Sequence, residues 1–314
     1  MAFKEYENPE ELVRVQELST RILGELDRVC RKLGINYAVY GGTAIGAVRH
    51  KGFIPWDDDV DVCLERSEYE RFLREAPSEL GDEFEIVNSR TRDDFPCTYS
   101  YLTLKNTVMI PEFYRACTYE KPISIDVFPL DAASDDQCEY KRQARKTWIW
   151  GRLMFLRATP APYLPFDGAK KAVVLAACGL AHGALKLFGA KAPWIQGKWE
   201  AAARACEGRQ TSWIADFSDR SPLDWAVTRE ELQDTIDVPF ENITVKLPRA
   251  YDAILTRGYG DYMKLPPSRS ARTTIRIDWT LAPTRSSYLV MTAWSFLPLD
   301  ARKRTTRPYA AEMV

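Results

Sequence analysis

The chain has no C-x-x-C pair. Its seven cysteines, at positions 30, 63, 97, 117, 138, 178 and 206, are odd in number and scattered. That pattern argues against a disulfide framework and fits free, buried thiols in a reducing cytosol. Charge of one sign is also lacking: 43 Lys/Arg against 44 Asp/Glu leave a net of −1, so there is no electrostatic case for nucleic-acid binding. The opening MAFKEYENPEELVRVQ is too polar for a secretory signal, which gives a cytoplasmic expectation. No internal repeat occurs. Long apolar runs are scarce. The longest, Ala172 to Ala190 (AVVLAACGLAHGALKLFGA), contains His182 and Lys186 and is flanked by Lys170, Lys171 and Lys191. It falls short of the ~20 strongly apolar residues of a membrane span. A packed helix is the expectation for 172–190, with a membrane-surface or partner-docking helix as the second. What the chain does have is 314 residues, 46% of them hydrophobic. That is enough for one large domain or two smaller ones with a sizeable core, and it excludes disorder.

The most informative stretch is residues 35–64, INYAVYGGTAIGAVRHKGFIPWDDDVDVCL. An apolar strand, Ile35–Tyr40, runs into Gly41-Gly42, and Thr43–Arg49 has the pattern of a short helix. Pro55 marks a loop before Asp57, Asp58 and Asp59. From Asp59 to Leu64 the residues alternate, so Asp59 and Asp61 share one strand face while Val60, Val62 and Leu64 pack on the other. Adjacent carboxylates are costly to hold ionised without a cation between them. A hard divalent ion, Mg²⁺ or Mn²⁺, suits such oxygen ligands. An EF-hand is excluded, because Val62 and Glu68 stand where its sixth-position glycine and twelfth-position glutamate would be if Asp57 were first.

Elsewhere, Leu12, Val15, Leu18, Ile22, Leu26, Val29 and Leu33 predict a helix over 10–33 that stops at Gly34. Ser67 is the expected cap of a helix to Ala76. Strands are expected at Phe84–Asn88, Tyr99–Lys105 and Ile123–Phe128, the last ended by Pro129. Ser134 and Gln137 suggest a capping box before a basic, aromatic helix to Arg157. A Pro-rich joint (159–168) precedes the apolar run. Helix is expected over Pro193–Cys206 and Pro248–Met263, and strands at 211–217 and 240–247. The order of elements is α/β or α+β.

Asp126 lies between Ile125 and Val127, as Asp61 lies between valines. If their strands are neighbours, Asp59, Asp61 and Asp126 meet on one face and, with metal, can clamp a phosphate for displacement. Gly41-Gly42 lets backbone N–H groups approach an anion at a helix N-terminus. Arg49 and Lys51 could neutralise phosphate charge. Asp57 and Asp58 are expected either to orient the loop or to be solvated. Trp56 either walls the site or packs, and His50 is a loop or phosphate contact rather than a base.

The run GGTAIGAVRHKGFIPWDDDVDV closely resembles the signature of the LicD family, the phosphocholine-transferase-like group that includes the fukutin-related proteins. ISIDVFPLD and YGDYMKLPP also resemble family blocks. The resemblance covers roughly residues 10–267. It implies an α+β, nucleotidyltransferase-like fold: a small mixed sheet flanked by helices, with an additional mainly helical region. Residues 1–133 would form the catalytic core and 134–267 an extension completing it. Asp59, Asp61 and Asp126 would be metal ligands and catalytic residues. Gly41, Gly42, Thr43, Arg49, Lys51 and Trp56 would lie on the donor's phosphate side. The reaction implied is transfer of phosphocholine, or a related phospho-substituent, from a CDP-linked donor to a hydroxyl of a cell-surface glycan acceptor such as teichoic acid, lipopolysaccharide or capsule. A choline donor calls for an aromatic cage, with Tyr114, Trp148 and Trp150 as candidates. The alternatives are a metal-dependent glycosyltransferase using a nucleotide-sugar and a catalytically dead glycan-binding scaffold.

The resemblance stops at Pro267. From Ser268 to Val314 eight Lys/Arg stand against three Asp/Glu, and the His pair that the family carries after its LPP block is missing. A frameshift near codon 268 would produce this, as would a divergent basic tail in contact with anionic lipid or glycan.

Overall fold

The computed structural model of the chain describes residues 9–164, 167–265 and 276–280. Helix α1 (Pro9–Leu33) has Glu10 and Glu11 in its first turn and Arg31 and Lys32 in its last, as the helix dipole favours. It ends at Gly34, whose φ of +62° suits glycine. Its apolar stripe, including Val15, Leu18, Ile22, Leu26 and Val29, is buried against a mixed sheet. In spatial order the main path of that sheet is β1 (Ala38–Val39), β2 (Asp61–Glu65), β6 (Ser124–Ala133), β4 (Ser100–Leu104) and β3 (Phe84–Val87). β7 (Trp213–Ala215) pairs with the far end of β6. Only the β2–β6 pairing is parallel; the other pairings of this sheet are antiparallel. The architecture is α+β, as expected.

The alternation around Asp61 is realised in the packing. Val60, Val62, Leu64, Ile125 and Val127 all lie in the core under α1. Asp61 and Cys63 turn to the other face, where Cys63 packs with Ala38, Leu130, Ile214 and Val227. The main core draws residues from Val15 to Tyr262. It includes Phe240, Val245 and Leu247 of a hairpin formed by β8 (Thr235–Phe240) and β9 (Ile243–Pro248).

Several boundaries differ from expectation. The strand at Ile35–Tyr40 shrinks to two residues. α2 (Gly41–Arg49) begins at the glycines themselves. Ser67 caps nothing: α3 (Arg66–Glu75) starts one residue earlier, because Arg66 is drawn into an ion pair with Asp131. Pro129 does not end β6. Asp126 N–H is donated to Val60 O on the β2 side, so by alternation Pro129 turns its nitrogen to the opposite edge. There β6 has passed β4 and not yet met β7, so no ladder bond is lost. Asp136, not Ser134, caps α4 (Gln137–Ala158), by accepting from Glu139 N. The strand expected at 240–247 is two strands with Glu241 at the hairpin tip, φ +51°. β5 (Val108–Pro111), which sequence patterning did not reveal, pairs with β10 (Arg276–Thr280).

Between β6 and β7 the chain forms α4, α5 (Ala169–Leu187) and α6 (Ala192–Ala203). α7 (Arg229–Gln233) opens with a full capping box from Thr228 and Glu231. α8 (Tyr251–Tyr259) follows the hairpin. Of the tail 268–314, residues 268–275 and 281–314 fall outside the described residues.

Candidate functional site

The parallel register of β2 and β6 sets Asp61 opposite Asp126. Both side chains emerge on the face away from α1. The strand begins at Asp61, so Asp59 lies two residues before it and outside the strand that the alternation suggested, but its charge bears on Asp61 and on Asp126. The tightest group is Asp57, Asp58 and Asp59, whose carboxylate oxygens can all lie within 4.8 Å of one another. Asp58 is buried and is not a solvated loop residue. Burial first, and then the charge of Asp59, hold Asp57 well above the usual carboxylate range. Asp61 is held well above it by burial and by the charges of Asp59, Asp126 and Asp57. Asp57, Asp58 and Asp59 thus lie at a spacing that suits a hard divalent cation, and Asp61 and Asp126 are near enough for charge to act between them and this group.

A cation is already present, and it is not one that the sequence pattern singled out. Lys121 is buried, with Nζ 3.6 Å from Asp126 Oδ1 and 4.5 Å from the centre of the Tyr101 ring. Burial raises Asp126 while Lys121 lowers it, and the carboxyl stays above its ordinary range. Nothing about Lys121 in the sequence distinguishes it from a solvated loop lysine; only closure of the loop before β6 buries it. Tyr114, one of the cage candidates, belongs to the same layer. Its hydroxyl lies 2.7 Å from Tyr101 Oη and 2.9 Å from Cys97 Sγ. Trp148 and Trp150 lie on α4, where Trp148 is half exposed and Trp150 meets Trp194 edge-on.

The glycines act through close approach. A Cβ on Gly42 would come within 2.9 Å of Asp57 Oδ2, and one on Gly41 within 3.3 Å of Asp61 Oδ2. Gly41 also has φ +54°. The first turn of α2, which no side chain caps, therefore abuts the carboxylates. Thr43 is buried, and its Oγ1 accepts from Asp61 N at 2.9 Å. It positions Asp61 and is not left open for a phosphate. Arg49 donates to Tyr262 O at 2.8 Å, and its Nε faces His50 Nδ1. Burial and Arg49 depress the His50 pKa, which keeps that ring neutral. Lys51 is exposed with φ +57°, and its carbonyl accepts from Glu241 N. Glu241 also accepts from Phe53 N, so the hairpin tip clamps the 51–53 loop. Trp56 packs partly buried against the core.

Beside Gly41 lies an aromatic cleft lined by Tyr40, Trp225, Tyr251 and Tyr259. Trp225 and Tyr259 meet at 4.3 Å, and the Trp225 ring lies over Gly258. Asp61, Asp57 and Asp59 act on the Tyr259 hydroxyl. At the end of β7, Asp216 is buried and pushed up to about 7, chiefly by desolvation; its charge bears on Tyr40. These residues come from distant segments with no shared motif, so sequence spacing could not assemble them.

Carboxylates at one register of adjacent strands, beside a glycine-led helix on a small mixed sheet, form an arrangement suited to a cation and a phosphate. The family model described as LicD/FKTN/FKRP, nucleotidyltransferase domain, matches residues 34–156, which hold β1, α2 and all five aspartates. The chain is 25% identical over 288 residues to "Lipopolysaccharide cholinephosphotransferase LicD" of Haemophilus influenzae. That alignment covers 83% of this chain and 94% of the relative. A 57-residue match at 33% identity links it to the uncharacterized protein RT0683 of Rickettsia typhi, over 18% of each. Residues 34–156 thus match the LicD family, and the similarity to the Haemophilus influenzae protein extends beyond them over most of the chain.

Proposed function

We propose that this protein is a phosphotransferase of the LicD type. It moves phosphocholine, or a related phospho-substituent, from a CDP-activated donor to a hydroxyl of a cell-surface glycan. The observation that carries this is the opposition of Asp61 and Asp126 across β2 and β6, with Asp57, Asp58 and Asp59 gathered beside them. The relative's name, a lipopolysaccharide cholinephosphotransferase, supports the same chemistry.

Asp59 and Asp61, with Asp126, are the ligands proposed for Mg²⁺ or Mn²⁺, and Asp57 and Asp58 lie close enough to share the shell. The bound cation would neutralise the donor diphosphate and the departing CMP. Thr43 holds the Asp61 backbone in place. Asp126 either completes that ligand set or, with its pKa raised by burial, accepts the proton of the attacking hydroxyl. Lys121 limits that rise and keeps the carboxylate available. The uncapped N-terminus of α2 offers backbone N–H groups to a phosphate. The cleft of Tyr40, Trp225, Tyr251 and Tyr259 is the better candidate for a quaternary ammonium group than Trp148 and Trp150.

The test is Mg²⁺-dependent release of CMP from CDP-choline and related donors. Wild type turns over, and Asp61→Ala abolishes turnover while retaining the wild-type circular dichroism spectrum. Release of UDP from a UDP-sugar in place of CMP would establish the glycosyltransferase alternative, which shares the Asp-x-Asp pair. No turnover, with nucleotide binding unchanged in Asp61→Ala, would establish the scaffold.

A further inference from the structure

α5 conflicts with its surroundings. Its sequence, AKKAVVLAACGLAHGALKL, is apolar around most of its circumference, yet not one of its residues is buried. A helix apolar all round is normally enclosed by protein or lipid. Seven of the twelve large apolar side chains exposed among the described residues lie between Trp148 and Trp194. Val173, Leu180, Leu187 and Phe188 are 69–84% exposed, and Trp194 is 52% exposed. The helix is nevertheless fixed in place. His182 Nδ1 donates to Leu156 O at 2.8 Å, and Arg157 Nε donates to Ala190 O at 2.7 Å. Met154, Ala192 and Ile195 form a small core under the corner between α5 and α6.

The charge around it is as one-sided as the chain as a whole is balanced. Residues 140–198 contain eleven Lys/Arg and a single acidic residue, Asp167. That is a net of +10 in a chain whose total is −1. Within α5 and its flanks, Lys170, Lys171, Lys186 and Lys191 border the apolar positions; the one acid, Asp167, pairs with Lys171. Trp194 lies under the Lys198 ammonium, and Trp148 under the Arg152 guanidinium. Aromatic and aliphatic side chains mixed with lysines, with one acid that is itself paired, are the composition of a helix that lies in a lipid headgroup layer. A second copy fits poorly, because a two-fold contact would set this basic face against itself. A single-helix span does not fit either, since among the described residues no helix is long and apolar enough to cross a membrane. α5 and α6 pass that test only together, as a pair bent by 106°, and the lysines that border the apolar positions of α5 favour a seat in the headgroup layer over a broken span.

We infer that α5, with the adjoining ends of α4 and α6, is a peripheral membrane seat that lies on an anionic lipid surface. Val173, Leu180, Leu187 and Phe188 enter the acyl boundary, and the flanking lysines meet the lipid phosphates. This goes beyond the proposed reaction and does not depend on it, since its readout is lipid binding.

The experiment is vesicle flotation of the full chain. One set of vesicles contains equal parts phosphatidylglycerol and phosphatidylcholine; the other is phosphatidylcholine alone. Wild type floats with the anionic vesicles at least tenfold more than with the neutral ones, and added salt reduces the difference. Leu180→Glu/Phe188→Glu and Lys186→Glu/Lys191→Glu each lower flotation at least tenfold. Both keep the wild-type melting temperature, because Leu180 and Phe188 are 77% and 84% exposed and Lys186 and Lys191 are also exposed. The inference is overturned if wild type fails to float, if it floats equally with neutral vesicles, or if the variants float like wild type. It is also overturned if wild type is a dimer in solution that Leu180→Glu/Phe188→Glu dissociates.

Discussion

Replacing Arg66 by Met should cost about 3–4 kcal/mol at pH 7 and much less at pH 5. Arg66 opens α3, directly after the strand that carries Asp61, and Asp131 lies on β6, five residues beyond Asp126. Two bonds join them, Nε to Oδ1 at 2.7 Å and Nη2 to Oδ2 at 2.6 Å, and both residues are almost fully buried. The pair therefore pins the far ends of the two strands whose register sets Asp61 opposite Asp126. At an effective dielectric of about 20, the attraction at this distance is roughly 6 kcal/mol, most of it offset by desolvation. Met fills the volume of the Arg66 stem but leaves the Asp131 carboxylate without its guanidinium. The penalty has a ceiling, because the group can take up a proton. That costs about 1.4 kcal/mol for each pH unit above the unfolded pKa of about 3.9, so the added loss is at most about 4 kcal/mol at pH 7 and about 1.5 kcal/mol at pH 5. The sign follows from the native protein. Burial already raises Asp131 above its ordinary range despite Arg66, and losing Arg66 raises it further. A raised carboxyl destabilises above the unfolded pKa, and the effect fades as pH falls towards it. Urea unfolding at both pH values, followed by the fluorescence of the nine tryptophans, measures the loss. Arg66→Met/Asp131→Leu, which removes both charges, should regain most of it. A loss under 1 kcal/mol at pH 7, or equal losses at the two pH values, would refute the reasoning.

Lys121→Met removes the ammonium beside Asp126; it should destabilise by about 3 kcal/mol without divalent ions and regain part of that in millimolar Mg²⁺. A melting temperature in which Mg²⁺ stabilises the variant no more than wild type would contradict the cation site. Gly42→Ala puts a methyl group 2.9 Å from Asp57 Oδ2, so CMP release should fall at least tenfold with a stability loss of about 1 kcal/mol or less. Unchanged turnover would show that the close approach is not needed. Thr228→Ala breaks the capping box of α7 and should cost about 1 kcal/mol in urea unfolding without affecting turnover.

Much of the candidate site's local geometry was legible because its signals are local. Alternation from Asp59 to Leu64 assigns faces without a structure, and an aspartate inside Ile-Asp-Val implies a strand that brings its carboxylate to a site. Caps and strand ends were less legible. Ser67 and Ser134 have the right residue types at the right places, but the buried pairing of Arg66 and the nearer Asp136 decide where the helices begin. Pro129 looks like a stop, yet the chain continues because β6 changes neighbours there. Arg49 and Lys51 look like phosphate ligands by charge and position. A carbonyl at Tyr262 engages Arg49, and the Glu241 hairpin tip holds the loop that carries Lys51.

The sequence by itself determined a mixed α and β fold, the helix that covers the sheet, and the residues that carry carboxylates and glycines, since each follows from periodicity or backbone freedom within a few neighbours. Only the tertiary structure decided which groups meet. The parallel pairing of β2 with β6 set Asp61 opposite Asp126, closure of a loop buried Lys121 between Asp126 and Tyr101, and segments some 200 residues apart built the cleft beside Gly41. It also showed that among the described residues none of the apolar helix at 169–187 is buried, because burial is a property of the assembled chain and not of composition.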